Sequence, residues 1–165
     1  MKIFLKDAFA TQRLGMILGE TLSCNSVILL EGDLGAGKTT LVQGLGEALG
    51  IDEPIVSPTF TIINEYTQAQ LPLYHLDLYR LEAAEIIALN LDSYWEGIEV
   101  VPGIVAIEWA QRMPYKPSAY LSIHLTTESE NQYLEDANSA RFAQITPFNC
   151  TLDKKILTLS KEHNY

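Results

Sequence analysis

The chain has 165 residues, the size of one domain, and 47% of them are hydrophobic, which is enough for a single core. The formal net charge is -10 with only 11 Lys and Arg residues, which argues against a surface that grips a nucleic-acid backbone, since such binding depends on basic side chains. The apolar runs are short and no long hydrophobic segment opens the chain, so we expect no membrane span, no signal peptide and a cytoplasmic location.

A strand and a helix are predicted at the N-terminus. Residues 3–5 favour a short edge strand, and Asp7 can cap a helix whose apolar residues recur at spacings of three and four. A second strand is predicted at residues 27–31, where four consecutive apolar residues indicate burial on both faces. After a glycine-rich stretch, a helix is predicted from about residue 38 to residue 49, ended by Gly50.

The glycine-rich stretch, residues 32–39, reads G-D-L-G-A-G-K-T, which is the P-loop pattern. Glycines let backbone N–H groups converge on an anion, and a helix N-terminus adds partial positive charge. Lys38 is predicted to reach the β- and γ-phosphates of a nucleotide, and the Thr39 hydroxyl to be a ligand of Mg2+. The alternative is a glycine-rich turn with a surface lysine, but the strand before and the helix after are the setting that the motif requires. The predicted nucleotide contacts are Gly32, Asp33, Leu34, Gly35, Ala36, Gly37, Lys38, Thr39 and Thr40, with Thr40 expected mainly to pack.

Two segments after the P-loop carry polar groups. Residues 57–61 read S-P-T-F-T, and their hydroxyls can act as a switch toward Mg2+ or the γ-phosphate, or belong to an ordinary loop before a strand at residues 61–66. The sequence leaves both interpretations open. Residues 73–77 predict a strand that ends in Asp77, at the edge of a parallel sheet where ligands gather. His75, within this strand, is interpreted as a hydrogen-bonded structural residue.

A second buried strand is predicted at residues 103–108, and it ends in an acid, Glu108, as a Walker B element does. Asp77 and Glu108 therefore compete for one role beside Mg2+, although a helix cap or a surface acid would give the same pattern. Trp109 follows directly, and packing explains it as well as a functional contact does.

The rest of the chain completes the fold prediction. A helix is predicted at residues 82–89, then an irregular acidic region with Asp92, Glu96 and Glu99. Residues 120–126 and 141–146 predict a hairpin around a polar loop, and residues 149–165 a tail that is a peripheral helix or partly disordered. We expect a single α/β domain, residues 1–148, with the P-loop NTPase fold and a mostly parallel sheet flanked by helices.

Four motifs together resemble the TsaE family, formerly called YjeE, and they occur in the family's order. They are G-D-L-G-A-G-K-T-T at 32–40, S-P-T-F-T at 57–61, H-L-D-L-Y-R-L at 75–81 and I-E-W at 107–109. The resemblance covers about residues 7–146. It implies a bacterial P-loop ATPase needed to make threonylcarbamoyladenosine at position 37 of tRNA, working with the partner proteins TsaB and TsaD, of which TsaD carries out the carbamoyl transfer.

The resemblance also implies roles for individual residues. Lys38 and Thr39 match the phosphate-binding lysine and the Mg2+ ligand, in agreement with the motif itself. Thr59 matches a switch-like residue, and Arg141 a late arginine at the border of the nucleotide. Three further positions match functional residues of the family: Asp77, Glu108 and Trp109. Of these, Glu108 matches the usual acid beside Mg2+.

The resulting prediction is a protein that binds ATP with Mg2+ and hydrolyses it slowly. No arginine finger is evident among the four arginines, so activation is expected from a partner or a closed state. A small-molecule kinase using Asp77 as base is a rival, but it lacks an arginine-rich lid between Arg80 and Arg112. A GTPase would need an N-K-x-D stretch, whereas a non-catalytic nucleotide-sensing subunit stays open. We expect little direct affinity for tRNA, which the partners would hold.

Overall fold

The computed structural model describes residues 1–98, 100–127 and 140–159. This part of the chain contains seven strands and five α-helices. In order they are β1 (Lys2–Leu5), α1 (Ala8–Thr21), β2 (Val27–Glu31), α2 (Lys38–Ala48), β3 (Ile63–Tyr66), β4 (Leu73–Asp77), α3 (Ala83–Ala88), α4 (Asp92–Glu96), β5 (Ile104–Glu108), β6 (Tyr120–Thr127), β7 (Arg141–Phe148) and α5 (Lys154–Leu159).

One sheet contains all seven strands, in the order β1-β7-β6-β2-β5-β4-β3. The four central strands, β6, β2, β5 and β4, run parallel, whereas β3, β7 and β1 pair antiparallel at the two sides. The short connection between β3 and β4 explains an antiparallel pair there, since parallel neighbours need a long crossover. The predicted α/β fold is confirmed, and its parallel part is the centre of the sheet.

Most predicted elements occur within one or two residues of their predicted bounds, and one is wrong. The acidic region after α3 is not irregular, because Asp92 to Glu96 form helix α4. Tyr94 and Trp95 of this helix pack against the apolar core on one face of the sheet, and this tertiary contact stabilises a helix too short for a periodic pattern. Glu99, the predicted loop at residues 128–139 and the end of the tail at residues 160–165 lie outside the described residues.

Alternation along the strands divides the core between the two faces of the sheet. In β2, Ile28 and Leu30 pack on the side of α1 and α2, whereas Val27 and Leu29 pack on the side of α3 and α4. In β4 and β5, Leu73 and the residues Ile104 and Ala106 face α1 and α2. Because side chains alternate, the polar residues at positions 75, 77 and 108 face that side too.

Helix α1 lies directly against α2, because glycine residues stand at their contact. A Cβ atom on Gly44 would overlap the carbonyl oxygen of Gln12, and one on Gly15 would overlap the carbonyl oxygen of Leu41. Both obstacles are backbone atoms, which cannot rotate away. The close approach therefore fixes α2, and with it the start of the P-loop helix, against α1.

We expect Gly44→Ala to lower the free energy of unfolding by about 1–3 kcal/mol, the usual cost of overpacking, as measured by urea denaturation. Gly46→Ala is the matched control, since its Cβ would meet the end of the flexible Ile55 side chain instead of backbone. Equal stability losses in the two variants would contradict a backbone contact at Gly44.

Candidate nucleotide-binding site

A cavity of about 260 Å³ lies at the carboxyl ends of the central parallel strands. The register places Leu30, Glu108 and Asp77 side by side on β2, β5 and β4. In open parallel sheets this edge is where ligands bind. The lining residues are Leu34, Gly35, Gly37, Lys38, Thr39, Ser57, Thr59, Asp77, Tyr79, Glu108 and Trp109.

The loop between β2 and α2 has the backbone that its glycines predict. Gly32, Gly35 and Gly37 have φ values of 138°, 76° and 99°, a region that residues with a side chain rarely adopt. Gly37 is the N-cap of α2, so the helix N-terminus faces the cavity that Gly37 lines. The arrangement is a strand, a glycine loop and a helix, as the P-loop motif requires.

Not all of the predicted nucleotide contacts in the loop line the cavity. Gly32, Asp33, Ala36 and Thr40 are not among the residues that line it, and Ala36 belongs to the apolar core. Thr40 is half-buried on α2. Leu34 lines the cavity and is 71% exposed, so the tip of the loop presents an apolar side chain to solvent.

Arg141 lies against the P-loop backbone and does not line the cavity. Its Nη1 donates a hydrogen bond to the carbonyl oxygen of Ala36 at 3.3 Å, and a Cβ on Gly37 would overlap its guanidinium group. Burial lowers the pKa of Arg141, and the charge of Asp7 acts in the opposite direction. The side chain thus packs beneath the loop, where it supports the loop's conformation.

Lys38 is held inside the loop that precedes it. Its Nζ donates hydrogen bonds to the carbonyl oxygens of Gly32 and Asp33, both at 2.8 Å. The same atom lies 4.0 Å from the centroid of the Trp109 ring, within the range of a cation–π contact. Burial lowers the pKa of Lys38, whereas the negative charges of Glu108, Asp77 and Asp33 raise it.

Trp109 has a left-handed backbone, with φ of 59° and ψ of 38°. A bulky residue in this region costs of order 1–3 kcal/mol, and such strain clusters at binding and catalytic sites. The ring lies 4.7 Å from that of Tyr79, and it lines the cavity as well. Trp109 therefore does both things that its position in the sequence allowed: it packs, and it faces the candidate site.

Glu108 accepts two hydrogen bonds on one oxygen atom. Oε1 lies 2.8 Å from Thr39 Oγ1 and 2.8 Å from His75 Nε2. The carboxylate can only accept, so the Thr39 hydroxyl donates its hydrogen and keeps its lone pairs for a metal ion. The sequence predicted a hydrogen-bonded His75 but not its partner; the available signal was the alternation that puts positions 75 and 77 on one face.

Asp77 contacts a different group of residues. Its Oδ2 accepts hydrogen bonds from Thr59 Oγ1 at 2.6 Å and Ser57 Oγ at 3.1 Å, and its Oδ1 accepts one from the backbone N–H of Tyr79 at 2.8 Å. The S-P-T-F-T segment is thus tied to the end of β4. Directly after this segment, Ile62 has φ of 70°, a strained value for a β-branched residue.

The oxygen atoms of the side chains at the cavity are ligands of the kind that Mg2+ prefers. Among the described residues there is no group of three or more His, Cys, Asp and Glu side chains that could hold a metal ion. Thr39, Asp77 and Glu108 offer only oxygen atoms, and Mg2+ usually binds one or two carboxylates together with phosphate oxygens and water. The residues fit a magnesium ion that arrives with a phosphate group.

A larger cavity, of about 580 Å³, lies at the opposite edge of the sheet. It is formed by the connection between α1 and β2, the start of β6 and the segment before α5, and both cysteines line it as free thiols. Its charged lining side chains are Asp153 and Lys154, neither of which is buried. No helix in the described part of the chain is long and apolar enough to cross a membrane.

The fold and the loop define an α/β protein whose strand, glycine loop and helix have the P-loop arrangement. The family model described as "Threonylcarbamoyl adenosine biosynthesis protein TsaE" matches residues 5–135. The chain belongs to the TsaE family, as its motifs predicted.

Individual relatives agree with this assignment. A Nostoc protein called tRNA threonylcarbamoyladenosine biosynthesis protein TsaE is 64% identical over 157 residues, covering 95% of this chain and 92% of the Nostoc protein. A Synechocystis protein of the same name is 54% identical over 118 residues, 72% of this chain and 75% of that protein. The crystal structure of Bacillus subtilis YdiB has a TM-score of 0.69 and 30% identity, and the match covers 98% of this chain and 92% of YdiB.

Proposed function

We propose that this protein binds ATP with Mg2+ and hydrolyses it slowly, as a subunit required to form threonylcarbamoyladenosine at position 37 of tRNA together with TsaB and TsaD. The observation that carries the proposal is the Thr39 hydroxyl bonded to Glu108 at 2.8 Å, directly after Lys38 in a P-loop. Membership of a family whose relatives are named for threonylcarbamoyladenosine biosynthesis supplies the pathway.

Phosphoryl transfer asks the protein for positioning and for stabilisation of negative charge. Phosphate oxygens replace the carbonyl oxygens of Gly32 and Asp33 as partners of Lys38, which is already at the loop. Thr39, with Glu108 and Asp77 nearby, would hold Mg2+, which would supply charge neutralisation on the phosphates. Trp109 excludes water from one side of Lys38, since its ring covers the ammonium group.

We expect ATP hydrolysis to be slow because few cationic side chains line the cavity. Lys38 is the only Lys or Arg among its described lining residues, so no arginine is placed to stabilise the transition state. A partner, or a closed state, supplies the missing charge. The same observation counts against a small-molecule kinase, because such a kinase would close arginine side chains over the phosphates. The remaining alternative is a subunit that senses the nucleotide without hydrolysing it.

The binding of tRNA belongs to the partners in this proposal. The net charge of -10 repels a phosphate backbone, and affinity for nucleic acid depends largely on Lys and Arg. TsaB and TsaD, the partners implied by the resemblance, therefore hold the tRNA while this protein supplies the ATP-dependent step.

The test is a titration of phosphate release by the purified protein against TsaB and TsaD, with and without tRNA. We expect slow, Mg2+-dependent release from the isolated protein and a higher rate as partners are added. Addition of tRNA without partners is the control, and we expect it to leave the rate unchanged. If ATP binds but no phosphate is released under any of these conditions, the protein is a nucleotide sensor and not an ATPase.

A further inference from the structure

His75 is completely buried, yet one of its ring nitrogens contacts the candidate site. Its exposed fraction is 0%, its Nε2 lies 2.8 Å from Glu108 Oε1, and it is not among the residues that line the cavity. It therefore does not touch a bound nucleotide directly. Its contact with the site passes through Glu108, which does line the cavity.

The hydrogen bonds determine which ring nitrogen donates. An ionised carboxylate is only an acceptor, so Nε2 must carry the hydrogen that bonds to Oε1. Nδ1 is buried and has no hydrogen-bond partner in the structure. A hydrogen on Nδ1 would be a buried donor without an acceptor, which costs more than an unpaired lone pair on that atom. The contacts therefore place the donated hydrogen on Nε2.

The sheet register explains why the ring reaches Glu108. His75 on β4 is opposite Ala106 on β5, and Asp77 is opposite Glu108. The small side chain of Ala106 leaves space beside the imidazole, which extends diagonally to the carboxylate two positions further along β5. Both elements are buried central strands, so the donor sits on a rigid part of the fold.

The two donors on Oε1 differ in one important respect. Thr39 lines the cavity, and its hydroxyl is the group that we expect to bind Mg2+, whereas His75 is shielded from the ligand. With Oε1 held, the second oxygen, Oε2, receives no hydrogen bond from the described part of the chain. It is the oxygen left for water or a metal-bound water in the cavity.

We propose that His75 is a positioning residue: its Nε2–H fixes the orientation of the Glu108 carboxylate, so that Oε2 is presented to the water that attacks the phosphate. The proposal rests on the proposed ATP hydrolysis. A hydrogen-bonded partner of a functional carboxylate typically accounts for about 10- to 100-fold in activity. The effect should fall on kcat and leave the affinity for nucleotide unchanged, since His75 does not contact the nucleotide.

The test compares His75→Phe, which removes the donor, with His75→Gln, whose side-chain amide can place an N–H near the position of Nε2. We expect His75→Phe to lower kcat by about 10- to 100-fold with little change in the dissociation constant of ATP, and His75→Gln to recover most of kcat. His124→Gln is the control, because His124 is exposed and lies outside the cavity lining. Unchanged kcat in His75→Phe, or equal losses in both variants, would overturn the proposal.

A second measurement needs neither nucleotide nor activity. Long-range ¹H–¹⁵N NMR spectra of the nucleotide-free protein report which nitrogen of His75 carries the hydrogen. We expect it on Nε2, with a shift of that resonance in Glu108→Gln. A ring with its hydrogen on Nδ1 and none on Nε2 would overturn the proposal even if ATP hydrolysis were established. Absence of hydrolysis in the wild-type protein, with Nε2–H bonded to Glu108, would instead overturn the proposed function and leave the contact intact.

Discussion

Replacement of Lys38 by alanine is expected to abolish ATP hydrolysis, reducing turnover by at least about a hundredfold, the usual loss when a group that stabilises transition-state charge is removed. Lys38 is the only cationic side chain among the described residues at the cavity. Its ammonium group is already desolvated and held by the carbonyl oxygens of Gly32 and Asp33, so no other side chain can take its place. The measurement is phosphate release with saturating ATP and Mg2+.

Two further variants separate the charge of Lys38 from its packing. Lys38→Met keeps most of the aliphatic length beneath Trp109 but removes the charge, so we expect the same loss of turnover as for alanine. Lys154→Ala, at an exposed position on α5, is the matched control and is expected to retain full activity. Undiminished turnover in purified Lys38→Ala, with contaminating ATPases excluded, would contradict the assignment of the P-loop.

Strands β2 and β5 could be predicted from the sequence because each is a continuous apolar run that ends in an acid, and β4 because it alternates and also ends in an acid. The strands at Val27–Glu31 and Leu73–Asp77 have the predicted bounds. The backbone conformation of the loop after Val27–Glu31 could also be predicted, because its glycines allow positive φ values. Helix α4 could not be predicted, since five residues are too few to show a helical period and Tyr94 and Trp95 are held by tertiary packing. Short elements depend on neighbours that the sequence does not identify.

Several of the residues that line the cavity could be predicted from the sequence, but their contacts could not. A hydrophobic run that ends in an acid shows that Asp77 and Glu108 lie at the same edge of the sheet. Which donors each acid meets depends on the register of β4 against β5 and on the side chain of α2 that faces it. The hydrogen bond from Arg141 to the carbonyl oxygen of Ala36 is a further contact that the sequence did not predict, and the expected place of Arg141 at the border of the nucleotide stays a prediction.

The contacts separate two acids that the sequence left in competition. Asp77 accepts hydrogen bonds from Ser57 and Thr59, so it anchors the S-P-T-F-T segment at the cavity. Glu108 accepts from Thr39, the expected magnesium ligand. Under the proposed function, Glu108 is expected to be the acid closer to Mg2+ and the attacking water, and Asp77 is expected to hold the hydroxyl segment at the same site. Substitution of either acid therefore has a distinguishable effect.

Glu108→Gln is expected to lower turnover by more than about tenfold, the low end of the loss for a general base or a metal-positioning group, while ATP still binds. Glutamine has the shape of glutamate and can still accept the hydrogen bonds of Thr39 and His75 on its Oε1. The amide nitrogen then occupies the position of Oε2, where it can neither accept a proton from water nor attract a cation. The loss should therefore appear in kcat, measured by phosphate release, and not in the dissociation constant of ATP.

The matched control for this variant is Glu53→Gln, which removes the same charge at an exposed position outside the cavity, and we expect it to keep wild-type turnover. Asp77→Asn provides a second comparison. An asparagine can orient its oxygen toward the hydroxyls of Ser57 and Thr59 or toward the N–H of Tyr79, but not toward both, so the segment loosens and affinity for Mg2+ with ATP falls along with the rate. Normal hydrolysis by Glu108→Gln would make the acid at the end of β5 structural and leave Asp77 as the remaining candidate.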